Sequence, residues 1–356
     1  LQSMIHDECC SLFRLHSDEF AILCTQQLDL DEMKKFAINI VNTTANKDFH
    51  IDDETIIAIS STVGLSYGEN LLLTNADIAL KFAKKQKKKY LVYQTSMKAE
   101  HEYEQNIKWT RKIKEAIVQD RIVPLFQPIV TCDTEEIFKY EALMRIRQKE
   151  GDEINYISPI HFLDTAIKTK QYEALSTEMI RQVFEALENN TCTFSINVSY
   201  YDIKEIGLLN IIKEFINTKN TDICSRLVIE LLETNNISDC EYCAEFLSVA
   251  KEAGIKIAID DFGTGYSNFT HILNVKPDYL KIDGSLIKNI HQDENSLALV
   301  KAIVEFSKKL NIKLIAEFVH NKEVFDVVKE LGIDEFQGYY FGEPKQNILN
   351  HHFITP

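Results

Sequence analysis

From residue 121 onward, short apolar, β-rich runs alternate with stretches long enough for helices. YEALMR (140–145), FSINVS (194–199), LVIELLE (227–233), KIAIDDFGTGYS (256–267), YLKIDG (279–284) and KLIAEFV (313–319) share one design. Each carries a carboxylate or carboxamide where the apolar run finishes. Runs such as KIAI, LVIEL and KLIA are apolar at nearly every position, as expected of strands covered by protein on both faces. Strands are predicted to end near Gln127, Arg145, Ser199, Glu230, Asp261, Asp283, Val319 and Tyr340. Helices fit at about 159–169, 173–189, 204–217, 239–253, 268–273, 293–310 and 321–331. Eight strands alternating with helices over roughly 235 residues match an α/β (β/α)8 barrel.

Residues 1–98 follow another pattern. Apolar runs at 12–15 and 20–24 flank His16-Ser17-Asp18-Glu19 and predict a hairpin. A helix is expected at about 30–46, a strand at 55–62, a second helix at about 71–86 and a strand at 90–93. Leu72, Ala76, Ala79, Leu80 and Ala83 keep helical spacing within the second helix. The region reads as small, α+β and lacking part of its own sheet. Residues 99–120 read as a charged amphipathic helix joining the two regions, with Ile107, Trp109, Ile113, Ala116 and Ile117 apolar.

Composition narrows the function classes. The 356 residues hold 54 acidic against 39 basic side chains, a net charge of -15. That argues against a nucleic-acid polymer as partner, which calls for a basic footprint. A small anionic ligand stays open, because bound cations can invert the local field. The one basic block, KKQKKK (84–89), reads as a solvated helix end. No apolar run approaches the roughly 20 residues of a membrane span. With no secretory pattern at the start, the eight cysteines are expected to be reduced thiols of a cytoplasmic protein. Cys240 and Cys243 form a CxxC without a second pair at zinc spacing and are read as structural.

In such a barrel, the C-terminal strand ends carry function. Glu141, Asn197, Glu230, Asp260, Asp261, Asp283 and Glu317 all fall there. A set of oxygen donors with no histidine or cysteine favours Mg²⁺ or Mn²⁺ over zinc. Asp260-Asp261 is the most telling pair: one carboxylate can bridge two ions while the other completes the coordination of the second ion. A dinuclear site of that kind suits phosphodiester cleavage. Taken singly, each acidic residue reads as a helix cap or surface charge. Taken together, they recur at the same end of successive strands. Gly263 and Gly265 give the following loop conformations that other residues resist.

These residues closely resemble the EAL-domain phosphodiesterases, which linearise the bacterial second messenger cyclic di-GMP. The tripeptide is Glu141-Ala142-Leu143, with Arg145 two residues on and Phe126-Gln127-Pro128-Ile129 ahead of it. DDFGTGYS, YLKID and QGYYFG are also in family form. The resemblance covers 121–356 and implies a variant barrel with one antiparallel strand. It implies that Glu141, Asn197, Glu230 and Asp260 hold a first metal, and Asp260, Asp261 and Glu317 a second. Lys281 corresponds to the lysine near the attacking water and phosphate, with Asp283 its neighbour. Glu233 corresponds to the glutamate that pins the DDFGTGYS loop. Gln127, Arg145 and Gln337 correspond to substrate-contacting positions, and Lys281, Glu317 and Glu141 to catalytic ones. The implied product is linear pGpG, and a homodimer through the barrel is expected.

Three positions depart from the family. AEGVE appears as Ala316-Glu317-Phe318-Val319-His320, and Ile146 stands where tryptophan is common. These departures bear on the second metal and keep an alternative in view: an impaired EAL domain acting as a cyclic di-GMP receptor. Residues 1–98 resemble the latter half of a GGDEF domain, through RLHSDEFAIL (14–23) and NADIALKFAKKQKKKYLVY (75–93). His16-Ser17 replace its two glycines, and DECC (Asp7 to Cys10) replaces its RxxD. No cyclase activity is expected from this degenerate region.

Overall fold

The computed structural model describes residues 10–16, 18–25, 29–46, 48–50, 56–131, 137–204, 207–218, 221–232, 241–263 and 269–348. Glu233, Gly265, Cys240, Ser17 and residues 7–9 of the sequence reading lie outside them. The chain forms two compact units, Leu1–Lys108 and Trp109–Pro356.

In the first unit, β1 (Cys10–His16) and β2 (Glu19–Cys24) form the expected antiparallel hairpin. Its register sets Cys10 opposite Cys24, and the two are joined in a disulfide. The expectation of eight reduced thiols fails at this pair, because strand pairing brings the two sulfurs together. Cys192, Cys224 and Cys243 are buried, so the described half of the CxxC is packed in the interior. Helix α1 (Leu30–Ala45) starts at a capping box in which Asp29 and Glu32 satisfy each other's backbone N–H. Strands β3 (Asp48–His50) and β4 (Ile56–Ala58) pair antiparallel. β5 (Val63–Leu65) pairs parallel with β6 (Tyr90–Val92), across helix α2 (Leu72–Lys85). The strand expected at 55–62 is thus shorter, since only Ile56–Ala58 pairs, and β5 begins beyond it with a different partner. Helix α3 (Thr95–Val118) runs across the boundary between the units.

The second unit is the expected barrel. Its strands are β7 (Ile122–Thr131), β8 (Ile137–Glu150), β10 (Thr193–Val198), β11 (Leu227–Leu232), β12 (Lys256–Phe262), β13 (Tyr279–Ile282), β14 (Lys313–Ala316) and β15 (Glu335–Gln337). The order β10-β11-β12-β13-β14-β15-β7-β8 closes through β8–β10 pairing. Only β7 runs against its barrel neighbours, antiparallel to both β15 and β8. β9 (Glu153–Ile157), absent from the sequence reading, extends β8 as a hairpin across a turn in which Gly151 takes φ 63°. That left-handed conformation is one glycine adopts freely.

Helices α4 (Leu163–Lys168), α5 (Tyr172–Asn189), α6 (Tyr200–Lys204), α7 (Leu208–Thr218), α8 (Thr221–Ser225) and α9 (Glu241–Glu252) follow in the first half of the barrel. α10 (Phe269–Val275), α11 (Gly284–Ile287), α12 (Glu294–Leu310) and α13 (Lys322–Glu330) complete the second. α12 and α13 begin at side-chain caps from Asp293 and Asn321. Ile257, Ala258, Ile259, Leu280, Ile282 and Ala316 have no exposed surface, which explains why their strands read as unbroken apolar runs. Among the described residues, no helix is long and apolar enough to cross a membrane.

Candidate active site

Lys281, on β13, is 1% exposed and stands at the centre of a ring of carboxylates. Its Nζ lies 2.7 Å from Glu230 Oε2, 2.7 Å from Glu317 Oε1, 3.0 Å from Asp260 Oδ1 and 3.3 Å from Glu141 Oε2. Four acidic groups therefore share one ammonium. Asn197 donates to Glu141 Oε1 at 2.6 Å, and Gln337 donates to Glu141 Oε2 at 2.6 Å and Gln127 Oε1 at 3.1 Å. Side chains from β7, β8, β10, β11, β12, β13, β15 and the residue after β14 thus meet in one place.

Strand geometry explains the convergence. Asn197 and Glu230 are direct neighbours across β10 and β11. Because β7 is antiparallel, Gln127 in its middle lands opposite Glu141. Asp260 and Asp261 would point to opposite faces of a regular strand. A bulge intervenes: the step from Ile259 to Phe262 on β12 spans the step from Leu280 to Ile282 on β13. Asp261 takes φ 57°, and the ligand oxygens of Asp260, Asp261 and Glu317 come within 4.8 Å of one another.

The electrostatics are those of a site short of positive charge. Burial, and then the charge of Glu141, push the Glu230 carboxyl up to about 8. Burial pushes Glu317 up to about 8 as well, against the pull of Lys281 and with the help of Asp260. Burial opposes the charge of Glu141 too, but Lys281 and the hydrogen bonds from Gln337 and Asn197 hold that carboxyl low. Lys281 is also desolvated, and its four acidic neighbours more than reverse this. Glu230 Oε1, Asp260 Oδ1 and Gln337 Oε1 are buried acceptors without an aligned donor. At 3.0 Å the Lys281–Asp260 contact is an ion pair without hydrogen-bond alignment. Unsatisfied oxygens beside an excess of carboxylates fit hard divalent cations.

Two site residues stand outside this network. Asp283 caps α11, accepting from the Ser285 N–H at 2.8 Å, and its charge adds to burial and to Asp260 in raising Asp261. Arg145 is half-buried on β8, four residues beyond Glu141, and its Nη1 donates to the Met144 carbonyl at 2.8 Å. Of the departures, Ile146 is buried in the core at 2% exposure, and His320 is exposed, with Nδ1 3.2 Å from the Phe318 carbonyl. Phe318 is 59% exposed at φ 58°, and Glu317 beside it still reaches Lys281.

The EAL domain family matches residues 110–344. This chain belongs to the EAL domain family. It is 27% identical over 348 residues to the cyclic di-GMP phosphodiesterase PdeB of Shewanella oneidensis, covering 94% of this chain and 40% of PdeB. It is 27% identical over 345 residues to MucR of Pseudomonas aeruginosa, named a bifunctional diguanylate cyclase/cyclic di-GMP phosphodiesterase, covering 94% of this chain and 49% of MucR. The chain therefore spans less than half the length of these curated relatives. The structure of Bacillus subtilis YkuI, with an EAL domain, in complex with c-di-GMP and calcium, is similar with a TM-score of 0.56 at 26% identity. That likeness covers 65% of this chain and 58% of YkuI.

Proposed function

We propose that this chain hydrolyses cyclic di-GMP to linear pGpG, using two Mg²⁺ or Mn²⁺ ions. The observation that carries the reading is the closing of Glu141, Glu230, Asp260 and Glu317 on Lys281 at one barrel mouth. Glu141, Asn197, Glu230 and Asp260 would hold one ion, and Asp260, Asp261 and Glu317 the other. Bound there, such ions lower the pKa of water and neutralise charge developing at phosphorus. Lys281 supplies a fixed positive charge at the same place and orients the attacking water. Arg145, which forms no salt bridge among the described residues, is suited to a phosphate oxygen. Gln127 and Gln337 present amide groups to the substrate edge. Asp283 serves by fixing the start of α11 beside Asp261, and Glu233 by anchoring the 260–267 loop.

The relatives named for this reaction, and the YkuI complex with c-di-GMP and calcium, support the substrate and the need for divalent ions. We also read residues 1–98 as part of a degenerate GGDEF domain, joined at 99–120 to the barrel at 121–356. The hairpin at Cys10–Cys24 and the reach of the MucR match through this region support that reading. A cytoplasmic location and a homodimer through the barrel complete the proposal, on the family resemblance alone.

The test is purified protein with Mn²⁺ and cyclic di-GMP, followed by chromatography. Linear pGpG should form, a chelator should stop it, and calcium should inhibit, because its looser coordination misplaces the water. Intact cyclic di-GMP after incubation with Mn²⁺ overturns the proposal. Tight binding without turnover would instead make the domain a receptor.

A further inference from the structure

One layer beneath the carboxylate ring lies a second charged layer. Lys139 and Glu335 are 1% and 2% exposed, and Lys139 Nζ lies 2.6 Å from Glu335 Oε2. The same ammonium sits 3.5 Å from the centroid of the Tyr279 ring. Lys139 precedes Glu141 by two residues on β8, Glu335 precedes Gln337 by two on β15, and Tyr279 precedes Lys281 by two on β13. Strand periodicity puts both members of each couple on the barrel's interior face. β8 and β15 are not hydrogen-bonded to one another, because β7 lies between them. Among the described residues, hydrogen bonds join their side chains at two levels: Lys139 to Glu335 below and Gln337 to Glu141 above. A dry ion pair is a poor source of stability, since apolar side chains of similar volume serve as well or better. Its geometry gives it a different use.

We propose that Lys139 and Glu335 are positioning residues, whose ion pair sets the span between β8 and β15 and so aims Glu141 and Gln337 into the metal and substrate layer. The proposal rests on the phosphodiesterase reading for its meaning, and its test does not depend on turnover alone. Lys139→Met with Glu335→Leu replaces the pair by apolar side chains of similar volume. The variant is expected to stay folded, by circular dichroism and thermal melting. Its Mn²⁺ affinity in titration calorimetry should fall roughly tenfold or more, as for other residues that orient ligands. Its kcat for cyclic di-GMP should fall by a similar factor. Glu335→Asp is the second variant. It keeps both charges, shortens the reach by one methylene, and is expected to lose Mn²⁺ affinity and kcat with little change in melting temperature. A pair that is only structural would shift the melting temperature and leave the Mn²⁺ affinity of the folded protein alone. Either folded variant with Mn²⁺ affinity and kcat within about twofold of wild type overturns the proposal. A wild type that binds Mn²⁺ but leaves cyclic di-GMP intact sinks the phosphodiesterase reading alone, and the Mn²⁺ comparison still decides the role of the pair.

Discussion

Replacing Phe318 by glycine, the family residue, separates a functional site from an obstructed one. Phenylalanine at φ 58° is a strained choice. Relief of the left-handed conformation gains about 1–2 kcal/mol. The freedom glycine adds to the unfolded chain offsets about 0.5–1 kcal/mol of this. The ring is 59% exposed, so deleting its buried part costs about 1 kcal/mol. These contributions nearly cancel, and the melting temperature should move by no more than about 4 °C. Activity can then be compared in proteins of equal stability. Glu317 Oε1 already lies 2.7 Å from Lys281, and the Glu317 carboxylate shares the cluster with Asp260 and Asp261. The ring therefore does not divert it. Phe318→Gly is expected to leave kcat and the Mn²⁺ half-saturation within about threefold of wild type, under ~0.7 kcal/mol. The assay is initial-rate hydrolysis of cyclic di-GMP across an Mn²⁺ series, beside thermal melting. A gain of tenfold or more in either quantity would refute this account and favour the impaired reading.

The neighbour that accommodates the ring gives an independent check of the same geometry. A Cβ built on Gly284 would lie 2.7 Å from Phe318 Cβ and 3.1 Å from its Cγ. Gly284→Ala should therefore destabilise the wild type by about 1–3 kcal/mol. The same change should cost much less in the Phe318→Gly background. Chemical denaturation of the four proteins measures the coupling, and equal costs in both backgrounds would show that the two residues do not meet.

Two further outcomes follow from the charge at the ring. Lys281→Met leaves buried carboxylates without their ammonium, a loss of about 3 kcal/mol or more. The metal-free variant should melt roughly 6–12 °C below wild type, Mn²⁺ should raise its melting temperature more than it raises that of the wild type, and turnover should fall on the order of 100-fold; equal Mn²⁺ shifts would argue against cations filling the ring. Glu230 and Glu317, pushed up to about 8 from an ordinary value of 4.5, bind more protons in the folded metal-free protein than in the unfolded chain. Their contribution to stability is thus full below the unfolded pKa and is lost as pH rises through about 8. Mn²⁺ binding at neutral pH should release protons, read as calorimetric heats that differ between buffers of unlike ionisation enthalpy. Identical heats would contradict the placement of these two carboxyls.

The barrel was legible because its strands are buried on both faces and their acidic and amide residues recur at one end, a pattern that survives without coordinates. Asp260-Asp261 was legible as a pair, but the means of aiming both was not. The bulge at Ile259–Phe262 depends on register with β13, which no local signal reports. The reading of the cysteines failed for a similar reason: Cys10 and Cys24 are distant in sequence and adjacent only through the hairpin register. β9 was missed because EINYI is a five-residue run, bounded by a short Gly-Asp turn, whose alternating Ile154 and Tyr156 stay exposed.

Lys139 and Glu335 were hidden in a different way. IFKYEALM contains a lysine inside an otherwise apolar strand, two positions before a metal-ligand candidate, and IDEFQGYY contains a glutamate two positions before Gln337. Each looks like an interruption when its strand is read alone. Only the barrel makes them complementary, since closing the sheet brings β8 and β15 to either side of β7 with their interior faces turned inward. A charged residue two positions below a site residue, on each of two strands flanking a common neighbour, is therefore a signal worth searching for. Its meaning comes from topology rather than composition. On the proposed reading the upper layer carries the barrel's chemistry, and the one beneath it sets part of that layer's aim.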